Sequence, residues 1–150
     1  MKKTQPIYLY VLIGLFVLLV GAFIIARIAN APISYTDDRL ELVEDWLTFQ
    51  SQARGQGVEM IYHYSETCSF CEQIRNDILG FAISNGMDIP VYVADMNSQA
   101  INQTSMFSPA QITGTPTVSI FVNGNLVNQV VGVNPILNLI EQVNAGTFTP

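Results

Sequence analysis

The stretch "VEMIYHYSETCSFCEQI" at residues 58–74 contains the pattern on which the fold prediction for the whole chain depends. Its first seven residues, 58–64, are rich in β-branched and aromatic side chains, which is typical of a strand. The two cysteines of the chain, Cys68 and Cys71, follow directly. Apolar residues then recur at helical spacing at Ile74, Ile78, Leu79 and Ala82. The stretch therefore predicts a strand, a cysteine pair and a helix in direct succession.

A Cys-x-x-Cys pair can serve as a structural bridge, as part of a metal site or as a redox couple. A bridge between Cys68 and Cys71 would close a loop of four residues. The chain-entropy model gives such a loop about 2 kcal/mol, against roughly 4.7 kcal/mol for a loop of a hundred residues. Structural zinc and iron–sulfur clusters usually need four ligands, and the chain adds one histidine, His63, to the two cysteines. We therefore expect no metal and favour the redox couple.

The predicted position of the pair favours a reactive thiol. Cys68 falls at or beside the N-terminus of the predicted helix, where unpaired backbone N–H groups and the helix dipole stabilise an anion. Lowering a thiol pKa from about 8.5 to about 7 raises the thiolate fraction at neutral pH from roughly 3% to half. Cys71 lies one turn further on, deeper but within reach, and can resolve a mixed disulfide. Because Glu66 and Glu72 flank the pair and oppose the thiolate, we expect a moderate reduction potential.

The residues before the cysteine motif predict one more helix, and those after it predict a strand and a short helix. Residues 37–53 read as an amphipathic helix whose apolar side includes Leu40 and Val43. Residues 89–96 are mostly apolar and predict an interior strand. Residues 97–107 predict a short polar helix.

The C-terminal third predicts a hairpin and a final helix. Residues 117–122 and 126–131 flank Asn123-Gly124, a strong signal for a two-residue hairpin turn. Asn134-Pro135 then opens a helix that Gly146 ends, with a core face formed by Ile136, Leu139, Ile140 and Val143. Strands that alternate with helices imply parallel pairing, and the hairpin adds an antiparallel edge. We therefore predict an α/β domain with a mixed central sheet and helices on both faces.

A second motif makes a family resemblance specific. Together with the strand–Cys-x-x-Cys–helix arrangement, "QITGTPTVSIFVNGNLVNQVVG" at residues 111–132 closely resembles the thioredoxin family, whose Gly-x-Pro-Thr element precedes an antiparallel hairpin. The resemblance extends from about residue 37 to residue 146. It implies a thioredoxin-like fold and thiol–disulfide oxidoreductase activity without a diffusible cofactor. It also implies that Pro116 is a cis-proline facing the cysteines, and that the backbone of Thr115 pairs with the main chain of a substrate.

The chain departs from the common thioredoxins around the cysteines. Thr67 stands where they have a tryptophan, and Ser69-Phe70 replaces their Gly-Pro pair. Tyr62 stands in place of a buried aspartate, and we expect it to pack in the core, with a hydrogen bond near Cys71 as the alternative role. Phe70 is expected at the active face, where it could contact a substrate. We expect His63 to be a packed or edge residue rather than a catalytic base.

An apolar stretch near the N-terminus predicts a membrane anchor. Residues 7–26 comprise twenty consecutive residues without a charge, which as a helix would cover roughly 30 Å, the thickness of the hydrocarbon core of a lipid bilayer. A cleaved signal sequence is the alternative, because "ANA" at 29–31 resembles a cleavage site. The apolar run exceeds the usual length of a signal core, however. We therefore predict an anchor at 1–29, a linker at 30–36 and the thioredoxin-like domain at 37–150.

The distribution of charge predicts an orientation and excludes one class of partner. Lys2 and Lys3 precede the apolar stretch, so the positive-inside rule puts the N-terminus in the cytoplasm and the domain outside the cell membrane. From Asp37 onward, twelve acidic residues and three arginines give a net charge of −9, which argues against nucleic-acid binding. With this topology the chain more nearly resembles the extracytoplasmic thiol–disulfide proteins of bacteria, including accessory proteins of bacteriocin export.

These observations together predict a membrane-tethered, extracytoplasmic thiol–disulfide oxidoreductase. Cys68 would attack a disulfide and Cys71 would resolve the intermediate. The substrates would be secreted or membrane proteins that contain cysteines, and a separate redox partner would reset the pair. The alternative is a non-catalytic thioredoxin-like module that binds a peptide or protein during export and keeps its cysteines permanently oxidised.

Overall fold

The computed structural model of the protein describes residues 7–29, 31–43, 57–85, 88–97 and 112–150. The chain divides into two compact units, Met1–Pro32 and Ile33–Pro150. The predicted anchor falls in the first unit, and both cysteines and the predicted hairpin fall in the second.

The first unit contains helix α1, Ile7–Ala29. Its segment Tyr8–Arg27 is long and apolar enough to cross a membrane, by criteria of length and composition that a signal sequence near an N-terminus also meets. Nearly all of its described apolar side chains are exposed, Phe16 and Leu18 among them. An apolar helix whose side chains are not buried by protein is suited to a lipid environment.

The described strands of the second unit form one mixed sheet in the order β1-β3-β2-β4-β5. They are β1 (Glu41–Leu42), β2 (Val58–Tyr64), β3 (Val91–Asp95), β4 (Thr117–Val122) and β5 (Asn125–Val131). Strands β1 and β2 each run parallel to β3, whereas β4 runs antiparallel to both β2 and β5. The mixed pairing predicted from the alternation of strands and helices is confirmed.

Two helices of the second unit, α2 (Ser69–Asn85) and α3 (Val133–Asn144), pack on the same face of the sheet. The stripe predicted for α2 is buried there, and Ile136 and Leu139 of α3 are buried with it. Ile140 and Val143 of α3 are partly buried against the same cluster. A smaller cluster lies on the other face of the sheet and consists of Val43, Ile61, Ala94 and Phe121.

The prediction of a helix that begins at residue 37 is wrong. The backbone N–H of Leu40 donates to the carbonyl of Asp37 at 3.0 Å in a turn, and β1 follows at once. Leu40 and Val43 are both buried, but in separate clusters on opposite faces of the sheet. The N–H of Val43 donates to the carbonyl of Val93 at 2.8 Å. The edge of β3 thus provides hydrogen bonds for backbone groups that would otherwise bond within a helix. This part of the chain therefore joins the sheet.

Two parts of the sequence-based prediction lie outside the described residues. They are the remainder of the first helix, 44–53, and the polar helix at 97–107 except for Asn97. Both described helices of the second unit lie on one face, and the cover predicted for the other face lies outside the described residues.

The hairpin is confirmed, and the final helix begins slightly earlier than predicted. Asn123 and Gly124 both have positive φ, 51° and 78°, as a type I′ turn requires. Helix α3 begins at Val133, after Gly132 at a φ of 95° without a side-chain cap, rather than at an Asn134 cap. The N–H of Gly132 donates instead to the carbonyl of Pro116 at 2.9 Å. The start of α3 is therefore tied to the loop before β4.

Candidate active site

A hydrogen-bonded turn joins β2 to α2 and places the cysteines. The N–H of Cys68 donates to the carbonyl of Ser65 at 3.0 Å. The hydroxyl of Ser65 lies 3.0 Å from that of Thr67 and accepts a hydrogen bond from the Asn97 side-chain amide at 2.8 Å. Asn97 follows β3, so a residue distant in sequence fixes this turn from its neighbouring strand. No local sequence signal marks Asn97, because its proximity to Ser65 depends on the parallel pairing of β2 and β3.

Cys68 immediately precedes α2 and is partly buried, as expected for a thiol at the helix N-terminus. Its Sγ accepts a hydrogen bond from the N–H of Cys71 at 3.2 Å and lies 3.3 Å from the carbonyl oxygen of Thr115, to which the thiol donates. Burial opposes ionisation, but hydrogen bonds from the Cys71 and Thr115 side chains and from the N–H groups of Cys71 and Phe70 lower the pKa of Cys68. The site therefore favours a thiolate at this atom.

Cys71 lies in the first turn of α2 and is fully buried. Burial raises its pKa, and the hydrogen bond that its thiol makes to Cys68 acts in the same direction. The two thiols thus differ in character. Cys68 is accessible and acidic, whereas Cys71 is enclosed and stays protonated.

The loop before β4 lies against Cys68. The Thr115–Pro116 peptide bond is cis, as the family resemblance implied. The Thr117 hydroxyl donates to the carbonyl of Gly114 at 2.7 Å, and the Pro116 carbonyl accepts from Gly132 at 2.9 Å. These bonds hold the loop from both ends, and they fix the Thr115 carbonyl next to the Cys68 sulfur.

Phe70 and an ion pair complete the exposed part of this region. The Phe70 side chain is 58% exposed although it is large and apolar. One turn along α2, Arg75 and Glu72 form an ion pair at 3.0 Å. The pair occupies the one arginine that the sequence places near the cysteines. Among the described residues, no group of three or more His, Cys, Asp or Glu side chains could hold a metal ion.

A set of three tyrosines lies behind the cysteines. Tyr62, Tyr64 and Tyr35 belong to the same buried cluster as Cys71. The rings of Tyr35 and Tyr64 stack with centroids 3.8 Å apart, and the Tyr35 hydroxyl donates to the Cys71 carbonyl at 3.4 Å. Burial raises the pKa of Tyr35 to about 12. Tyr62 packs in the core as predicted, and so does Tyr35, although it belongs to the predicted linker at 30–36.

His63 lies away from the cysteines. Its neighbours on β2 alternate in direction, so it faces the side of Ile61 rather than that of Tyr62. It is fully buried, its Nε2 lies 3.0 Å from the Ser119 hydroxyl, and burial lowers its pKa to about 3. A neutral, enclosed imidazole on the opposite face agrees with the expectation of a packed histidine.

Comparisons with known proteins agree with this architecture. The family model described as Thioredoxin matches residues 43–145. A mutant thioredoxin from Halobacterium salinarum is similar in structure, with a TM-score of 0.58 and 20% identity over 79% of this chain and 99% of that one. Thioredoxin O2 from Arabidopsis thaliana gives a TM-score of 0.57 at 19% identity, over 77% of this chain and all of that one (100%). Thioredoxin from Malassezia sympodialis gives 0.56 at 20% identity, over 72% and 89%.

A search of curated protein sequences found no match to this chain. The structural neighbours, at these identities, establish the fold, and the family model covers more than half of the chain. The fold carries a Cys-x-x-Cys pair whose first thiol has a lowered pKa and whose second is buried within reach. That arrangement supports thiol–disulfide oxidoreductase activity. The chain belongs to the thioredoxin family.

Proposed function

We propose that this chain is a membrane-tethered thiol–disulfide oxidoreductase that acts outside the cytoplasm on cysteines of secreted or membrane proteins. The observation that carries the catalytic part is the environment of Cys68, whose sulfur accepts the Cys71 N–H at 3.2 Å beside the Thr115 carbonyl. The apolar helix at Tyr8–Arg27 supports the tether.

In the proposed reaction Cys68 attacks and Cys71 resolves. The Cys68 thiolate forms a bond to one sulfur of a substrate disulfide, and the other substrate sulfur leaves as a thiolate that takes up a proton. Cys71 then attacks the Cys68 sulfur, which closes the Cys68–Cys71 disulfide and releases the second substrate thiol. Two electrons pass from the pair to the substrate, and the reverse sequence oxidises a substrate dithiol. A separate redox partner must reset the pair after each turnover, and no diffusible cofactor is required.

Three residues near Cys68 are proposed to hold the substrate. The backbone of Thr115 is only partly buried beside the reactive sulfur, so it can pair with an extended substrate segment. Pro116 shapes that edge by leaving no N–H to compete for the pairing. Phe70, exposed between the cysteines, offers an apolar contact to an unfolded or peptide-like partner.

The tether and its orientation rest on residues 1–36. We propose an anchor at 1–29, crossing the lipid membrane through residues 7–26, and a linker at 30–36, whose Tyr35 already packs in the core of the domain that follows at 37–150. The two lysines before the apolar stretch favour a cytoplasmic N-terminus. Protease added to intact cells should then cleave the domain from full-length protein, whereas a cytoplasmic domain would be protected until the cells are lysed.

Trapping of mixed disulfides tests the catalytic proposal. Full-length Cys71→Ser protein should accumulate covalent adducts with cysteine-containing envelope or secreted proteins, because the intermediate on Cys68 can no longer be resolved. The adducts should disappear on reduction and should be absent from the Cys68→Ser, Cys71→Ser double variant. Partners retained equally by both variants, without a covalent bond, would contradict the catalytic proposal and favour the non-catalytic export module.

A further inference from the structure

We propose that the hydroxyl of Tyr62 donates the hydrogen bond that stabilises the Cys71 sulfur as a thiolate in the resolving step. The inference rests on the proposed function, because it assigns a residue to the second half of that reaction. Tyr62 is fully buried on β2, in the same cluster as Cys71. Within the described residues its hydroxyl has no hydrogen-bond partner.

An unpartnered buried hydroxyl is uncommon, because it has lost its hydrogen bonds to water without replacement. The groups with which the Tyr62 hydroxyl interacts electrostatically are the Tyr35 hydroxyl and the Cys71 thiol. The Tyr35 hydroxyl donates to the Cys71 carbonyl at 3.4 Å, and its oxygen can still accept. Once Cys71 ionises, its charged sulfur is a stronger acceptor for the Tyr62 O–H than the neutral Tyr35 oxygen.

The surroundings hold the tyrosine ring in place. Tyr62 and Tyr64 stack with centroids 6.1 Å apart, and Tyr64 stacks in turn on Tyr35 at 3.8 Å. The ring is thus fixed, while rotation about the C–O bond leaves its proton free to turn toward the sulfur. A donor fixed in advance loses little entropy when the acceptor becomes charged.

The chemistry of the group makes it a donor rather than a base. Burial raises the pKa of Tyr62 far above its ordinary range, so the hydroxyl keeps its proton at neutral pH. Burial also raises the pKa of Cys71, so its thiolate needs stabilisation. The Arg75 guanidinium lies 5.7 Å from the Tyr35 ring centre. Glu72 already neutralises that charge at 3.0 Å.

In the step itself, Cys71 loses its proton to solvent and its sulfur attacks the Cys68 sulfur of the mixed disulfide. The Cys68–Cys71 bond forms as the bond from Cys68 to the substrate sulfur breaks, and that sulfur leaves with the electron pair. Tyr62 exchanges no proton. Its O–H contributes by favouring the Cys71 thiolate before attack.

The test uses full-length protein in detergent micelles and an aromatic disulfide, dithiobis(nitrobenzoate), as the probe. The attack of Cys68 releases one coloured thionitrobenzoate, and resolution by Cys71 releases a second. Tyr62→Phe, which deletes only the hydroxyl, should slow the second release roughly tenfold to a hundredfold, the range for a hydrogen bond to a charged group. The first release should keep its rate.

Tyr64→Phe is the matched control, because it makes the same deletion in a buried, stacked tyrosine whose hydroxyl interacts chiefly with Asp95 and Glu66 and less with Tyr35. It should leave both releases within about twofold of the parent. Each variant is compared well below its own melting temperature, so that loss of fold does not enter the rates. An unchanged second release in Tyr62→Phe, or an equal slowing of both releases, would overturn the proposal. Absence of the first release in the parent protein would instead refute the proposed function.

Discussion

The two faces of strand β2 each bury polar, titratable side chains, yet they differ in what those side chains can do. Tyr62 lies on one face within the cluster that contains Cys71. His63 lies on the other, enclosed with Ser119 at 3.0 Å. Burial shifts the pKa of groups on both faces. A shifted pKa therefore does not identify an active site here, and access to a reactive, partly exposed atom does.

The face of β2 that carries Tyr62, the cysteine face, is reactive because its cluster reaches a partly exposed thiol. Cys68 is partly exposed immediately before α2, and the enclosed Cys71 donates its backbone N–H to the Cys68 sulfur at 3.2 Å. On the opposite face, the histidine face, burial also shifts the pKa of His63, but the described residues there include no partly exposed reactive thiol. Desolvation acts on both faces, but hydrogen bonds outweigh it at Cys68 and lower the pKa of that thiol, whereas at His63 desolvation itself causes the pKa shift.

The largest effect on activity is expected from replacing the reactive cysteine itself. Cys68→Ser should abolish catalysed disulfide exchange, because serine lacks the ionisable sulfur. His63→Gln should retain activity within about threefold, because its side chain faces away from the cysteines. Turnover of the full-length proteins with a peptide disulfide measures both. Loss of activity in well-folded His63→Gln protein would show that the histidine face contributes to the reaction.

Truncation of one core residue on each face should give the next largest effect. Ile74→Ala and Ile61→Ala remove side chains that are 1% and 0% exposed. Each should lower the free energy of unfolding by about 2–5 kcal/mol, because a buried cavity is left behind. Thermal or urea unfolding of both variants measures this. A much smaller loss for Ile61→Ala would mean that its face is more loosely packed than the cysteine face.

The smallest expected effect is a dependence of the unfolding free energy on pH that is caused by His63. The pKa of His63 is about 3 in the folded protein, against 6.5 for an ordinary histidine. Below pH 6.5 the unfolded state binds more protons than the folded state, so this contribution to stability falls as the pH falls toward 3. Between pH 6.5 and pH 5 the loss should be on the order of 2 kcal/mol.

His63→Gln is the control for this pH effect, because carboxylates elsewhere titrate in both proteins. The difference in unfolding free energy between parent and variant should narrow as the pH is lowered from 6.5 to 5. A difference that stays constant over this range would contradict a buried, neutral His63.

Local sequence patterns predicted most of the strands and helices that position the active site. The strand at Val58–Tyr64, the helix after the cysteines and the hairpin at Asn123-Gly124 each follow from short-range periodicity or turn chemistry. The helix predicted from residue 37 failed, because the spacing of Leu40 and Val43 suits either a helix or a chain that crosses between two faces of a sheet. Only the pairing partner β3 distinguishes the two.

Two residues near the site could not be predicted for the same reason, because their contacts are with distant segments of the chain. Tyr35 falls in the predicted linker, and nothing local to it indicates that its hydroxyl reaches the Cys71 carbonyl 36 positions away. Asn97 supports the turn at Ser65 from a separate strand. Both are contacts between segments that approach only after the sheet and α2 have assembled.

The sequence by itself determined the reactive pair, its position at the start of a helix, the hairpin and the apolar N-terminal helix. Those features depend on neighbours within a few residues or on the composition of one segment. The tertiary structure decided how far the two thiols differ, which tyrosines surround Cys71 and why His63 stays outside the chemistry. These properties depend on burial and on hydrogen bonds between distant segments, because desolvation is set by what the folded chain packs around a group.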